Sequence, residues 1–262
     1  MARAWRRLGR LSTRARERVR GLPLRAAHRR GGIPIPPGRL IHLVAGTEDV
    51  SWFLAGGAAA AAGIREVLVR NGLAIESFGA VLDFGCGAGR VLRHWSRLDG
   101  PTLVGSDYNP ALVAWCRRHL PFARFEVNGL DRPLAAGDAS FDFIYALSVF
   151  THLAEPLQRF WMAELTRVLR PGGHLLITTH GASYLGQLSD DDRARFRAGH
   201  AVVRGASRQG SNDCAVFHPE SYVRRVLAEG LDVVDFLPEG ARGNPHQDAF
   251  LLRKPCATAS GR

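Results

Sequence analysis

The run Val81-Leu82-Asp83-Phe84-Gly85-Cys86-Gly87-Ala88-Gly89-Arg90 sets a carboxylate two residues before three alternating glycines. Glycine is needed where φ turns positive and where a ligand must touch bare backbone. A helix start beyond such a turn offers unpaired amides and the positive end of a dipole. The chemistry this serves is nucleotide binding, and the spacing separates two kinds of nucleotide. Dinucleotide folds use G-x-G-x-x-G. This chain reads G-x-G-x-G, with Arg90 where that pattern has its last glycine, so a nucleotide without pyrophosphate fits better. A second carboxylate, Asp107, follows 24 residues after Asp83 in Gly105-Ser106-Asp107-Tyr108-Asn109-Pro110. An acid there can accept hydrogen bonds from both hydroxyls of a ribose. Asn109, directly before Pro110, is the better candidate for the cap of the next helix.

Three further segments follow in order: Val127-Asn128-Gly129-Leu130-Asp131, the stretch Ser140 to Leu153 ending in Ser148-Val149-Phe150-Thr151-His152-Leu153, and Arg167-Val168-Leu169-Arg170-Pro171-Gly172-Gly173. With the glycine run they resemble the class I, Rossmann-like S-adenosylmethionine-dependent methyltransferases of small-molecule type, over roughly residues 40–254. The resemblance implies S-adenosyl-L-methionine as cofactor, held by Asp83, Gly85, Cys86, Gly87 and Gly89. It implies a ribose on Asp107 beside Tyr108, adenine near Asn128, Gly129 and Leu130, and Ser148 on the loop after the fourth strand. Members often carry Asp where Asn128 stands. The Asn carbonyl can still accept from the adenine amino group, and Asp131 is a competing candidate. Ala146-Leu147-Ser148-Val149 departs from the Asn/Asp-Pro-Pro-aromatic sequence of amino-methyltransferases acting on DNA bases, which argues against that class.

Methyl transfer is an in-line displacement in which the cofactor carries the difficult chemistry. The protein must hold the nucleophile about 3–3.5 Å from the methyl group and exclude water. A hydroxyl acceptor is helped by a base, for which His is the usual side chain. Candidates belong beyond the carboxyl ends of the strands. His180 after the fifth strand is the first choice and His152 after the fourth the second, with His218 and His246 further off. Each also has a plain structural role open to it. The consecutive acids Asp190, Asp191 and Asp192 suit a helix start, and no metal is expected. Trp52 and Phe53 are candidates either for a lid or for core packing.

The elements that must position these groups alternate. Strands are expected at 80–84, 102–106, 122–127, 141–147, 174–179, 231–237 and 248–253, with helices at 88–98, 110–119, 155–169 and 219–229. Apolar strands alternating with helices predict an α/β fold with a doubly wound, mostly parallel seven-stranded sheet. Pro238 to His246 is too short for a crossover helix, which makes the last strand antiparallel. Residues 39–255 form the expected methyltransferase domain, with a helical lid at 39–78 and a substrate-region insertion at 181–217; 256–262 is a tail.

Residues 1–38 are a basic N-terminal segment and a Pro/Gly linker. Residues 1–30 hold eleven arginines against Glu17 alone, a balance of +10 out of the chain's +11. The remaining 232 residues are therefore near neutral, and the charge says little about the site. The basic segment suits a solvated tail, an organelle leader or peripheral contact with an anionic membrane. It has no secretory apolar stretch, and no apolar run reaches the ~18–20 residues of a membrane span. Four scattered cysteines suggest neither disulfides nor zinc, and a cytoplasmic setting is expected. The expected acceptor is a small molecule or glycan, methylated at oxygen, and nucleic acid is not an expected partner. Two alternatives remain at this stage: a protein or RNA methyltransferase guided by the Arg-rich segment, and a cofactor-binding module without turnover.

Overall fold

A computed structural model describes residues 32–243 and 246–256, so the expectations for residues 1–31 and 257–262 lie outside the described residues. Nine strands occur among them: β1 Ala80–Phe84, β2 Thr102–Asp107, β3 Arg124–Val127, β4 Phe141–Ala146, β5 Leu169–His180, β6 Val202–Arg204, β7 Ala215–Phe217, β8 Asp232–Leu237 and β9 Gln247–Arg253. Strands β3, β2, β1, β4 and β5 pair in that order, all parallel. β9 then pairs antiparallel with both β5 and β8. The expected seven-stranded sheet with an antiparallel last strand is present. Beside it stands a short antiparallel hairpin, β6–β7, joined to the tip of β5 at His180 and Phe217.

The sheet is apolar on both faces, as parallel strands covered by helices must be. Side chains alternate along each strand. Leu82, Ile144, Leu175 and Ile177 face one layer, with Trp161, Met162 and Leu165 of α4 (Glu155–Val168) and Val223 and Leu227 near the chain's end. Val81, Phe143, Tyr145 and Leu176 face the other, with Ile64 and Leu68 of α2 (Val50–Arg70) and Val113 and Cys116 of α3 (Pro110–His119). Asp83 shares that second parity and is buried.

Local signals account for most boundaries. Asp49 caps α2 by accepting from Ser51 N at 2.8 Å and Trp52 N at 3.2 Å. Asn109 caps α3 by accepting from Ala111 N at 3.0 Å, with Pro110 in the first turn. The preceding helix α1 (Gly38–Ala45) ends on Gly46 at φ 69°. α2 is 21 residues long and apolar enough by length and composition to cross a membrane, which the count of continuous apolar residues did not anticipate. Here Phe53, Ala60, Ile64, Val67 and Leu68 on it are buried in the domain.

Two helix expectations fail. The stretch 88–98 forms turns and a short 3-10 segment, Leu92–Trp95, instead of an α-helix. Gly89 stands at φ 69°, outside helical space, so a continuous α-helix cannot begin at 88. The stretch 219–229 starts as a single α turn, α6 (Glu220–Tyr222; α5 is Asp190–Arg197), and widens into a π segment at Val223–Leu227.

Candidate active site

The carboxyl ends of β1, β2 and β4 open on a cavity of about 340 Å³. Asp83, Gly85, Cys86 and Gly87 form its floor, and Asp107 and Tyr108 come from the end of β2. Asn128 and Leu130 follow β3, and Ser148 and His152 follow β4. Ten of the thirteen residues named from the sequence therefore share one wall; Gly89, Gly129 and His180 do not.

The glycine turn is shaped from two sides. Gly85 and Gly87 have φ of 79° and 55°, a region L side chains rarely adopt. A methyl group on Gly85 would run into Val149 Cγ2, and one on Gly87 would sit 2.8 Å from Val44 Cγ2. The turn is thus bare because the loop after β4 and the helix α1 close over it. Gly89 serves packing instead, since a Cβ there would strike Leu120 Cδ1 on the α3 side. Asp107 ties this turn to β2: Oδ2 accepts from Gly87 N and Oδ1 from Asn109 N, both at 2.8 Å. Burial raises its pKa, and the two backbone amides oppose that rise. The Cys86 thiol is buried and its pKa is pushed well up, chiefly by its contact with Cys116 and by burial, which makes it a packing group and no nucleophile.

Asp83 is electrostatically unusual. Desolvation raises its pKa to about 7, opposed by a hydrogen bond with Tyr145 and the charge of Arg90. Its Oδ2 is buried and has no hydrogen-bond partner. An orphaned carboxylate oxygen in a cavity wall is an unmet acceptor. Arg90, which replaces the dinucleotide glycine, is buried with its guanidinium 5.1 Å from the Trp52 ring centroid and Nη1 donating to Gly243 O at 3.3 Å. Its pKa is lowered to about 10 by desolvation.

After β3, Asn128 Oδ1 accepts from Ser106 Oγ at 2.6 Å, and Leu130 O accepts from Trp161 Nε1 at 2.8 Å. Asp131, the competing candidate, is exposed and off the cavity wall. Gly129 abuts Arg132 instead of the cavity.

The two histidines exchange rank. His180, the first choice, stands behind the wall, 4.3 Å from the Tyr184 ring centroid and 5.5 Å from that of Phe217. Its Nδ1 donates to Val216 O at 3.2 Å, and Nε2 lies 3.4 Å from the Gln247 amide nitrogen. Burial and the neighbouring His152 lower its pKa to about 4. His152 lines the cavity, and its Nδ1 donates to Cys214 O at 2.6 Å, which leaves Nε2 as the basic nitrogen. Burial lowers its pKa, keeping the ring neutral at pH 7. The turn bearing it is gripped by Gln158, whose Nε2 donates to Phe150 O at 3.1 Å and Leu153 O at 2.7 Å.

Trp52 lines the cavity beside Leu43 of α1, whereas Phe53 is core. The insertion closes the other side: Gly210, Ser211 and Asn212 line the cavity, and Asn212 Nδ2 donates to Leu43 O at 3.3 Å. Gly210 N also donates to His152 O at 2.9 Å. Sequence reasoning missed Tyr184, Gln247 and Gln158; none lies in a local motif. The acids at 190–192 serve α5, with Ser189 accepting from Asp192 N at 3.2 Å and Asp192 paired to Arg204 at 2.7 Å.

Residues 82–177 match the family described as Methyltransferase domain. Among similar proteins, a malonyl-[acyl-carrier protein] O-methyltransferase of Enterobacter lignolyticus is 33% identical over 130 residues, 49% of this chain and 50% of that one. A ubiquinone biosynthesis O-methyltransferase of Cereibacter sphaeroides is 30% identical over 102 residues, 38% and 40% of the two chains. This chain thus spans half or less of the length of these two relatives. A solved S-adenosylmethionine-dependent methyltransferase from Methanosarcina mazei superimposes with TM-score 0.53 at 21% identity, covering 72% of this chain and 97% of that one. Residues 82–177 thus carry a methyltransferase domain, and the chain shares the Rossmann-like α/β fold of that solved structure.

Proposed function

We propose that the protein transfers the methyl group of S-adenosylmethionine to a hydroxyl oxygen of a small molecule. The observation that carries this is the convergence of the glycine turn, Asp107 and a neutral His152 on one cavity of about 340 Å³. The residues present suit the cofactor: Asp83 has an orphaned oxygen for a cation, Asp107 an acid for a ribose, and the turn a surface free of side chains. When bound, the cofactor supplies a methyl carbon activated by positively charged sulfur.

The chain's own residues do the rest. His152 Nε2 would accept the proton of the acceptor hydroxyl as that oxygen takes up the methyl group. Its Nδ1–H stays on Cys214 O throughout, so the tautomer and ring orientation are set before the substrate arrives. α1 and the 210–212 loop close the site and exclude water. Closure by these two segments favours a small acceptor over a protein or RNA strand. The oxygen reading is supported by the names of the two relatives, both O-methyltransferases.

The test is calorimetric titration with S-adenosylmethionine, S-adenosylhomocysteine and NAD, with Asp107→Ala as control. Micromolar binding of the two sulfur nucleotides, weakened in the variant and absent for NAD, is the expected result. Failure of the wild type to bind either one overturns the proposal. Binding without S-adenosylhomocysteine release across hydroxyl acceptors would return weight to the non-catalytic module.

A further inference from the structure

We propose that the acceptor is an uncharged, ring-bearing molecule methylated on an acidic hydroxyl, a phenol or an enol. This rests on the transferase reading above and concerns the part of the cavity beyond the cofactor turn.

The charge distribution of the wall comes first. Among the described residues, the formally charged side chains lining the cavity are Asp83, Asp107 and Arg90, all beneath or beside the glycine turn. Arg90 is already engaged with the Trp52 ring and Gly243 O. A carboxylate or phosphate acceptor would therefore enter without a cation to receive it, at a desolvation cost that a buried anion cannot escape. The rest of the wall includes the aromatic rings of Trp52, Tyr184, Tyr108, Trp161 and Phe84 and the neutral polar groups of Ser148, Ser211, Asn212 and Gln247. Flat apolar walls with a few fixed polar groups orient a ring that bears oxygens.

Those polar groups are held in place. Thr178 Oγ1 donates to Gln247 Oε1 at 2.7 Å, Gln247 Nε2 donates to Ser148 Oγ at 2.9 Å, and Ser148 N donates to Thr178 Oγ1 at 2.8 Å. Ser148 has φ of 59°, an uncommon value for a residue other than glycine. The closed ring of bonds keeps it there, with its hydroxyl on the cavity wall. It sits four residues before His152, so hydroxyl and base are presented by the same short loop. One oxygen of the acceptor meets the base while a neighbouring oxygen meets this neutral polar edge.

The base then selects the kind of hydroxyl. A neutral imidazole held away from solvent is a weak base. A phenol ionises near pKa 10, as tyrosine does, whereas an alcohol, like water, is a far weaker acid. The phenol lies several orders of magnitude nearer to what this histidine can deprotonate.

The experiment uses the full chain with acceptors of stated class: catechol and 2-naphthol as uncharged phenols, methyl glucoside as an alcohol and benzoate as a carboxylate. S-adenosylhomocysteine affinity is measured first, and its absence would overturn the transferase reading, not the acceptor class alone. With that product bound, catechol or 2-naphthol is expected to bind at least tenfold tighter than benzoate or methyl glucoside, and Tyr184→Ala to erase the preference. With S-adenosylmethionine, phenol turnover is expected to exceed alcohol turnover at least 100-fold. Equal or tighter binding of benzoate, equal turnover of methyl glucoside, or no phenol binding to the product complex would each overturn the inference.

Discussion

Protonation of Asp83 should control cofactor affinity. Its carboxyl, buried with Oδ2 unpartnered, has its pKa raised to about 7 by desolvation. A cationic amino group placed against it favours the charged form and pulls that pKa back toward the ordinary carboxylate range. Binding then requires the ionised acid, and affinity falls on acidification with a slope that approaches tenfold per pH unit well below 7. Between pH 7.0 and 5.5 the expected loss is about 15-fold, with about half a proton released per ligand bound at pH 7. Titrating S-adenosylhomocysteine calorimetrically in two buffers of different ionisation enthalpy reads both quantities. Asp83→Asn should flatten the profile while keeping an acceptor for Tyr145. The sign for stability is opposite: a raised carboxyl pKa stabilises the ligand-free fold below about pH 4, and that contribution is lost as pH rises through 7. The ligand-free Asp83→Asn protein should therefore gain stability over wild type at pH 8. A flat wild-type affinity from pH 5.5 to 7.0 would refute the reasoning.

Three further outcomes are expected. Gln158→Met, which removes the amide that holds Phe150 O and Leu153 O and accepts from Tyr222 Oη, should cost about 3–5 kcal/mol in urea unfolding; a cost under about 1 kcal/mol would show that the grip on the His152 turn is unimportant. Gly87→Ala, forced to φ near 55° against Val44, should lose about 1–2 kcal/mol of stability, and titration should find S-adenosylhomocysteine bound at least tenfold more weakly. In single-turnover assays with a phenol, His152→Ala should lose about 10²–10⁴ in rate and His180→Ala less than about tenfold; the reverse order would restore His180 as the base.

The alternation of apolar runs, the caps at Asp49 and Asn109, and the short link before the last strand were readable because they are local. Each depends on a few adjacent side chains bonding or turning their own backbone. The cavity wall was readable for a related reason: parallel strands end on one edge, so residues following successive strands meet there whatever else the chain does. That logic placed Asp83, Asp107, Asn128, Ser148 and His152 together. It failed at Gly89, where the turn conformation breaks the helix and the space belongs to Leu120.

Tertiary structure decided the rest. His152 follows β4 and His180 ends the neighbouring β5, and tertiary contacts separate them: Cys214 O orients one toward the cavity, while Phe217 and Tyr184 enclose the other. Tyr184 and Gln247 join the wall from 36 and 99 residues beyond Ser148, distances no local motif spans. The pKa of Asp83 depends on burial and on a hydrogen bond with Tyr145, which lies far along the chain from it. Residue types and spacing determined which groups this protein can bring to a methyl donor. Which of them reach the cavity, and in what charge state, was set by burial and long-range contacts, because desolvation acts through three-dimensional surroundings that sequence spacing does not encode.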